Sequence, residues 1–226
     1  MIKRITKILL ITFLIFVIAI FYLSIFGIKT SKFNNQITNN ILKINKKINL
    51  TLSDVSYLLN PYNFTIKIKT KNPQIVFEGK TFKIKNIQTN VALKSLINDQ
   101  FSIDDIQIIT KEIKVNDIIA LARVFQNSPQ LFVLSTIVKD GFISANINLN
   151  FDKNGKIKEN YKINGSIKKV KLNILNKFKL QNLNFNFDLK KNTYSLKGID
   201  MKVNDIKLTS PLIAIIKKKD TFFVSG

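Results

Sequence analysis

The chain has 226 residues, 36 of them Lys or Arg and 14 Asp or Glu, giving a formal net charge of +22, and it contains no Cys, His or Trp. Those absences exclude disulfides, thiolate or imidazole metal sites, and any nucleophile that depends on a His base. The charge suits nucleic acid or anionic head groups, but only Arg4 and Arg123 are Arg, and lysines such as Lys67, Lys69, Lys83 and Lys85 alternate with apolar residues, a pattern that simply solvates one face of a sheet.

Ile8 to Ile28 is uncharged and almost wholly apolar; as a helix it reaches roughly 31 Å, the thickness of a bilayer core. Lys3, Arg4 and Lys7 precede it, so the positive-inside rule places the N-terminus in the cytoplasm and the rest across the membrane. A cleavable signal peptide is the alternative, although its apolar core is normally shorter and followed by small residues. Residues 1–28 therefore form a tail and transmembrane anchor. In 29–48, Phe33, Ile37, Ile41, Ile44 and Ile48 recur every three or four positions, which predicts an amphipathic helix that lies on the membrane or closes one end of a sheet.

From 49 to 226 the period changes to two, as in Phe64, Ile66 and Ile68, in Ile143, Ala145, Ile147, Leu149 and Phe151, and in Leu183, Phe185, Phe187 and Leu189. Such alternation predicts half-buried antiparallel strands. Turn signals fall at Asn60-Pro61, Asn72-Pro73, Glu78-Gly79, Asp140-Gly141, Asn154-Gly155 and Lys191-Asn192. Helix is expected only briefly at Val91 to Asn98 and as a hairpin inserted at about 117–139, broken at Ser128-Pro129. Leu212 to Gly226 reads as a last hairpin with no closing element, as if the chain were truncated or continued in a partner.

Seven segments repeat one phrase: apolar, polar, apolar, polar, then Asn, Asp or Gly, then apolar. They are LTLSDV (50–55), FKIKNI (82–87), FSIDDI (101–106), IKVNDI (113–118), FKLQNL (178–183), YSLKGI (194–199) and MKVNDI (201–206). The apolar spacing of two followed by three would turn the last residue to the wrong face of a strand. A bulge that absorbs one residue, or a tight hairpin turn, corrects the slip, and Asn, Asp and Gly tolerate the left-handed backbone either device uses. Repeated bulges imply a strongly curved sheet. Because so little helix cannot cover about ten strands, the sheet must curl on itself, be closed by further chain, or leave an apolar groove.

No phosphate-cradling glycine motif is present. The adjacent carboxylates Asp104 and Asp105 occupy the turn position of the phrase and read as backbone chemistry rather than a cation site. No catalytic residue, metal site or cofactor is expected, and the chain reads as a non-enzyme. The dispersed lysines and the topology also oppose nucleic acid as a partner.

The order of features resembles the N-terminal part of the AsmA-like family of Gram-negative bacteria, the group that includes TamB and YhdP. The resemblance rests on the basic tail and apolar segment, the amphipathic helix, LTLSDVSYLLNPYNFTIKIKTKNPQI with its turns at Leu58 to Pro61 and Asn72-Pro73, FSIDDIQIITKEIKVNDI, INLNFD after the helical insertion, and YKINGSIKKVKL with Gly165. It implies a protein held in the bacterial inner membrane with its C-terminal domain in the periplasm, serving phospholipid transport or outer-membrane homeostasis. The fold class expected is mainly β with some helix: an anchor, an amphipathic helix, and a curved antiparallel sheet forming an open groove. Sequence and resemblance together give the groove candidates Phe64, Ile66, Ile68, Phe82, Ile84, Phe101, Ile103, Ile147, Leu149, Phe151, Phe185 and Phe187. The implied partners are the membrane, phospholipid, and outer-membrane or periplasmic proteins. The rival reading is a membrane-anchored scaffold whose apolar face binds a protein.

Overall fold

The computed structural model describes residues 2–32, 34–35, 38–39, 48–53, 55–77, 79–93, 103–125, 128–152, 156–175, 177–219 and 221–226. Helix α1 (Ile2–Ile25) opens the chain, and its stretch Arg4–Ile25 is long and apolar enough to cross a membrane or to serve as a signal sequence. It ends earlier than the apolar run does: Gly27 takes φ +64°, and Ile28 is already the first residue of strand β1 (Ile28–Thr30).

Most of the expected amphipathic helix lies outside the described residues, including Phe33, Ile37, Ile41 and Ile44. Residues 34–35 and 38–39 are helical, and the Thr38 hydroxyl donates to the Leu50 carbonyl at 3.1 Å. Lys29 and Thr30 are strand, however, and Ile48 opens β2 (Ile48–Thr51), so the ends of that stretch pair rather than coil.

The body is antiparallel sheet, and strands make up 61% of the structure. After β2 come β3 (Val55–Asn60), β4 (Thr65–Lys71), β5 (Gln74–Phe77), β6 (Lys80–Ala92), β7 (Ile103–Thr110) and β8 (Ile113–Lys114). Two helices follow, α2 (Val115–Phe125) and α3 (Pro129–Ile137), then β9 (Val138–Asn150), β10 (Lys162–Ile174), β11 (Phe178–Lys190), β12 (Thr193–Val203), β13 (Ile206–Lys218) and β14 (Thr221–Ser225). The main path runs β1-β3-β4-β6-β7-β9-β10-β11-β12-β13-β14, with β5 joining β2 to β6 and β8 extending β7 beside β9. The path is open, since β1 and β14 lie at opposite borders.

Turn chemistry sets these hairpins. Val203 pairs with Ile206 across Asn204 and Asp205, which take φ +45° and +71°, the two left-handed residues of the tightest hairpin turn. Asn192 (φ +58°) supplies a single left-handed residue at the β11–β12 hairpin, and Asn72 (φ +48°) does so at the connection from β4 to β5. Ser128 breaks the helical pair as expected, its side chain accepting from the Leu131 N–H with Pro129 starting α3. Three expectations need correction. Asp140-Gly141 is no turn but lies inside β9, where a Cβ on Gly141 would collide with Val170 Cγ2. Val91 and Ala92 finish β6 as strand, and 94–100 lie outside the described residues. The helical insertion runs 115–137, because Val138 and Lys139 already belong to β9.

The repeated phrase resolves into several devices. In FKIKNI, FSIDDI, FKLQNL and YSLKGI it sits at register shifts, with Lys85, Asp104, Asn182 (φ +52°) and Gly198 (φ +62°) at the irregular positions. MKVNDI is the hairpin turn just described. LTLSDV carries the chain from β2 to β3, with Asp54 outside the described residues. IKVNDI departs from the expectation: after Ile113 and Lys114 the chain becomes helix, and Asp117 lies in the first turn of α2, where a carboxylate is favoured by the helix dipole.

The best-packed core lies where β5, β6, β8 and α2 meet. Phe77, Phe82 and Ile113 are buried there, with Ile75, Ile118, Leu121 and Ile143 against them. Helix α2 thus covers one end of the sheet, around Ile113 and Ile143, while Val55, Thr70 and Val91, farther along the same face, are buried as well.

Candidate functional site

Cross-strand partners share a face of the sheet, so the registers define continuous rows. One row reads Thr30, Val55, Thr70, Ile87, Ile108, Ile147, Ile163, Leu189, Tyr194, Ile215 and Val224, crossing the whole path from β1 to β14. Beside it run Tyr57, Ile68, Thr89, Ile106 and Leu149 on one side, and Ala145, Gly165, Phe187, Leu196 and Ile213 on the other. This face is apolar with little interruption. Most of its residues are only half-buried.

The opposite face is its chemical inverse over most of the sheet. Its row reads Lys69, Gln88, Gln107, Asn148, Lys162, Lys190 and Thr193. These side chains hydrogen-bond across strands: Asn90 Nδ2 donates to both Asp105 carboxylate oxygens at 2.9 and 3.0 Å, and Gln107 Nε2 donates to Asn146 Oδ1 at 3.3 Å. Asp104 and Asp105 are thus a bulge residue and a strand acceptor in β7. At the last two strands polarity ends, for Thr193 is followed by Ile216 and Phe223.

Where register shifts occur, bulges keep the apolar residues of a strand together. On β10, Ile167 pairs with Phe185 and Val170 with Leu183, three residues matched to two, with Lys169 at φ +53° taking up the slack. The Lys169 N–H donates to Asn184 Oδ1 at 2.8 Å. Val170 is 4% exposed, so it is still on the covered side, and the spacing of three has been absorbed as the phrase implied.

Of the candidate groove residues, Ile66, Ile68, Ile103, Ile147, Leu149, Phe185 and Phe187 share the apolar face, and the Phe185 and Phe187 rings meet edge to face at 6.5 Å between centroids. Phe82 and Ile84 are buried in or beside the core, which removes them from any exposed lining. Phe64 does not join the face: it lies in the β3–β4 tip, 68% exposed. Phe151 bridges to Ile157 beyond the end of β9, and Phe101 lies outside the described residues. Ile87, Ile108, Ile163, Leu189 and Tyr194 belong to the face although they are not among the groove candidates, and each sits at period two within its own strand. Tyr57 is on it as well, and burial pushes its phenol above the usual range.

Compared with protein families, with curated proteins and with solved structures, the chain matches none.

Proposed function

We propose that the chain is a membrane-anchored lipid-binding protein of AsmA-like type, with α1 spanning the bacterial inner membrane and the sheet in the periplasm. Its apolar face holds phospholipid acyl chains while head groups stay in water, in the service of phospholipid movement between membranes or of outer-membrane homeostasis. The observation that carries this reading is the nearly unbroken apolar row across the main path of the sheet, backed by an amide and lysine face that keeps the same sheet soluble. The bulges support it by bending strands toward one side, so that the face becomes a trough. Lys3, Arg4 and Lys7 support the orientation.

Truncating face residues to Ala would confuse lost packing with lost lipid, so charge is the better probe. Native mass spectrometry of the full chain is expected to find bound phospholipid on the unaltered protein and none on the double variant Leu149→Asp, Phe185→Asp. A folded double variant with unchanged phospholipid would overturn the reading. A topology reporter fused after Ile48 is expected to lie outside the cytoplasm, and cytoplasmic exposure there would sink the proposed location.

A scaffold that binds protein through the sheet is the second reading, favoured by the β13–β14 border. Leu212, Ile216 and Phe223 lie on one face there and Ile213, Ile215 and Val224 on the other, so both sides suit a packed polypeptide. Protein copurifying in place of lipid would select it.

A further inference from the structure

Where α1 meets the sheet the chain is tightly held. A Cβ on Gly27 would collide with the Tyr57 carbonyl oxygen and lie 2.9 Å from Leu58 Cγ, so the helix ends in contact with β3. From there β1 runs away from α1, placing Ile28 opposite Tyr57 and Thr30 opposite Val55. Strand β3 is antiparallel to β1 and therefore returns toward α1. Its tip, residues 61–64, begins four residues past Tyr57, about 13 Å farther along the strand. Helix α1 packs on β3, and Val17, Ile20, Leu23 and Ser24 form a half-buried stripe along it at helical spacing. The tip stands beside the C-terminal part of α1.

The side chains on that tip face outward. Tyr62 is 92% exposed and Phe64 is 68% exposed. Phe64 takes φ +50°, a backbone region costly for a bulky residue. The tip's polar groups are meanwhile drawn inward: the Phe64 carbonyl accepts from the Leu93 N–H at 2.8 Å, and Asn60 Oδ1 accepts from the Asn63 N–H at 3.2 Å. Two exposed aromatic rings on a loop with internally held backbone are unfavourable in water and favoured at the head-group level of a bilayer.

We infer that the β3–β4 tip inserts into the interfacial layer of the bilayer that α1 spans, with Phe64 among the upper acyl carbons and Tyr62 among the head groups. The inference rests on the reading of α1 as a membrane span. It adds a second attachment point, which fixes how the sheet stands on the membrane.

The chain has no Trp, so one introduced Trp reports one position. Full-length Phe16→Trp, Tyr62→Trp, Phe64→Trp and Leu175→Trp are reconstituted in phosphatidylethanolamine–phosphatidylglycerol liposomes with and without brominated acyl chains. Leu175 is the control, 82% exposed beyond the far end of β10. The expected result is that Phe16→Trp and Phe64→Trp lose most of their emission to bromine, Tyr62→Trp loses part, and Leu175→Trp loses none. Quenching at position 16 with none at 62 or 64 overturns tip insertion and leaves the anchor standing. A blue-shifted but unquenched Phe64→Trp assigns the tip to protein and overturns it equally. No quenching at position 16 removes the span and the insertion together.

Discussion

At the scale of single residues, the sheet depends on positions where a side chain has no room or the backbone needs freedom. Gly165 lies between β9 and β11, and a Cβ there would collide with the Ser144 carbonyl oxygen and come within 2.7 Å of Phe187 Cζ and 3.0 Å of Ala145 Cα. Two of those neighbours are backbone and cannot swing away. Gly165→Ala is therefore expected to destabilise by about 3 kcal/mol, at the upper end of overpacking costs, read from the denaturant midpoint; a loss below that of Gly198→Ala would refute the packing argument. Gly198 has φ +62° and open space where a Cβ would lie, with nothing within 4 Å, so its substitution carries only the backbone cost of about 1 kcal/mol. Glu112 tests electrostatics. Lys168 Nζ lies 2.6 Å from its carboxylate, and that hydrogen bond holds the Glu112 pKa below the usual carboxylate range. A depressed folded-state pKa contributes stability above the unfolded value and loses it as pH falls through the folded one. Glu112→Gln is expected to flatten that small part of the acid limb and leave stability otherwise nearly unchanged, as suits an exposed pair; a steeper acid limb in the variant would reverse the assignment.

At the scale of elements, bulges decide which face a strand presents. Lys169 is the extra residue of the β10 bulge, so deleting it leaves Ile167 and Val170 two apart, the spacing that keeps both on one face of a regular strand, whereas deleting Lys168 and Lys169 together makes them neighbours and turns Val170 and Leu172 to the polar face. The double deletion is expected to abolish cooperative unfolding, whereas the single deletion is expected to keep it. Equal effects in the two variants would show that the alternation of faces does not fix the register. Period-two strands and the Ser128-Pro129 break are legible in the sequence, because alternation and capping are local properties. The apolar face is legible in part: Ile66, Ile147, Leu149, Phe185 and Phe187 can be read strand by strand, but the row joining them depends on register. Phe82 and Ile84 look no different in sequence, and only tertiary packing buries them, Phe82 among Phe77 and Ile75 of β5 and Ile118 and Leu121 of α2. IKVNDI misleads because a strand bulge and a helix N-terminus ask for the same residues, and Asp140-Gly141 because close approach of Val170 demands Gly as strictly as a turn does.

At the scale of the whole molecule, the two borders of the sheet differ. Strand β1 is three residues long and adjoins α1, so little free edge is offered there. Strand β14 is five residues long with all five exposed, including Phe222, Phe223 and Val224 at 57%, 53% and 67%, and among the described residues no strand pairs with its outer side. Lysines partly shield it, with Lys217 Nζ 5.8 Å from the Phe222 ring centre and Lys218 Nζ 5.4 Å from that of Phe223, contacts worth about 0.5–1 kcal/mol each at exposed sites. That shielding leaves the outer backbone N–H and C=O groups open to another strand, and an apolar open edge is a template for association. The full chain in detergent is therefore expected to self-associate with rising concentration in sedimentation velocity. Phe222→Lys with Val224→Lys is expected to abolish that association while shifting stability by no more than about 0.5 kcal/mol per exposed site. Association that persists in the double variant would move its cause from the β14 edge to the apolar face, where Leu149→Asp, Phe185→Asp would then be the variant that dissolves it.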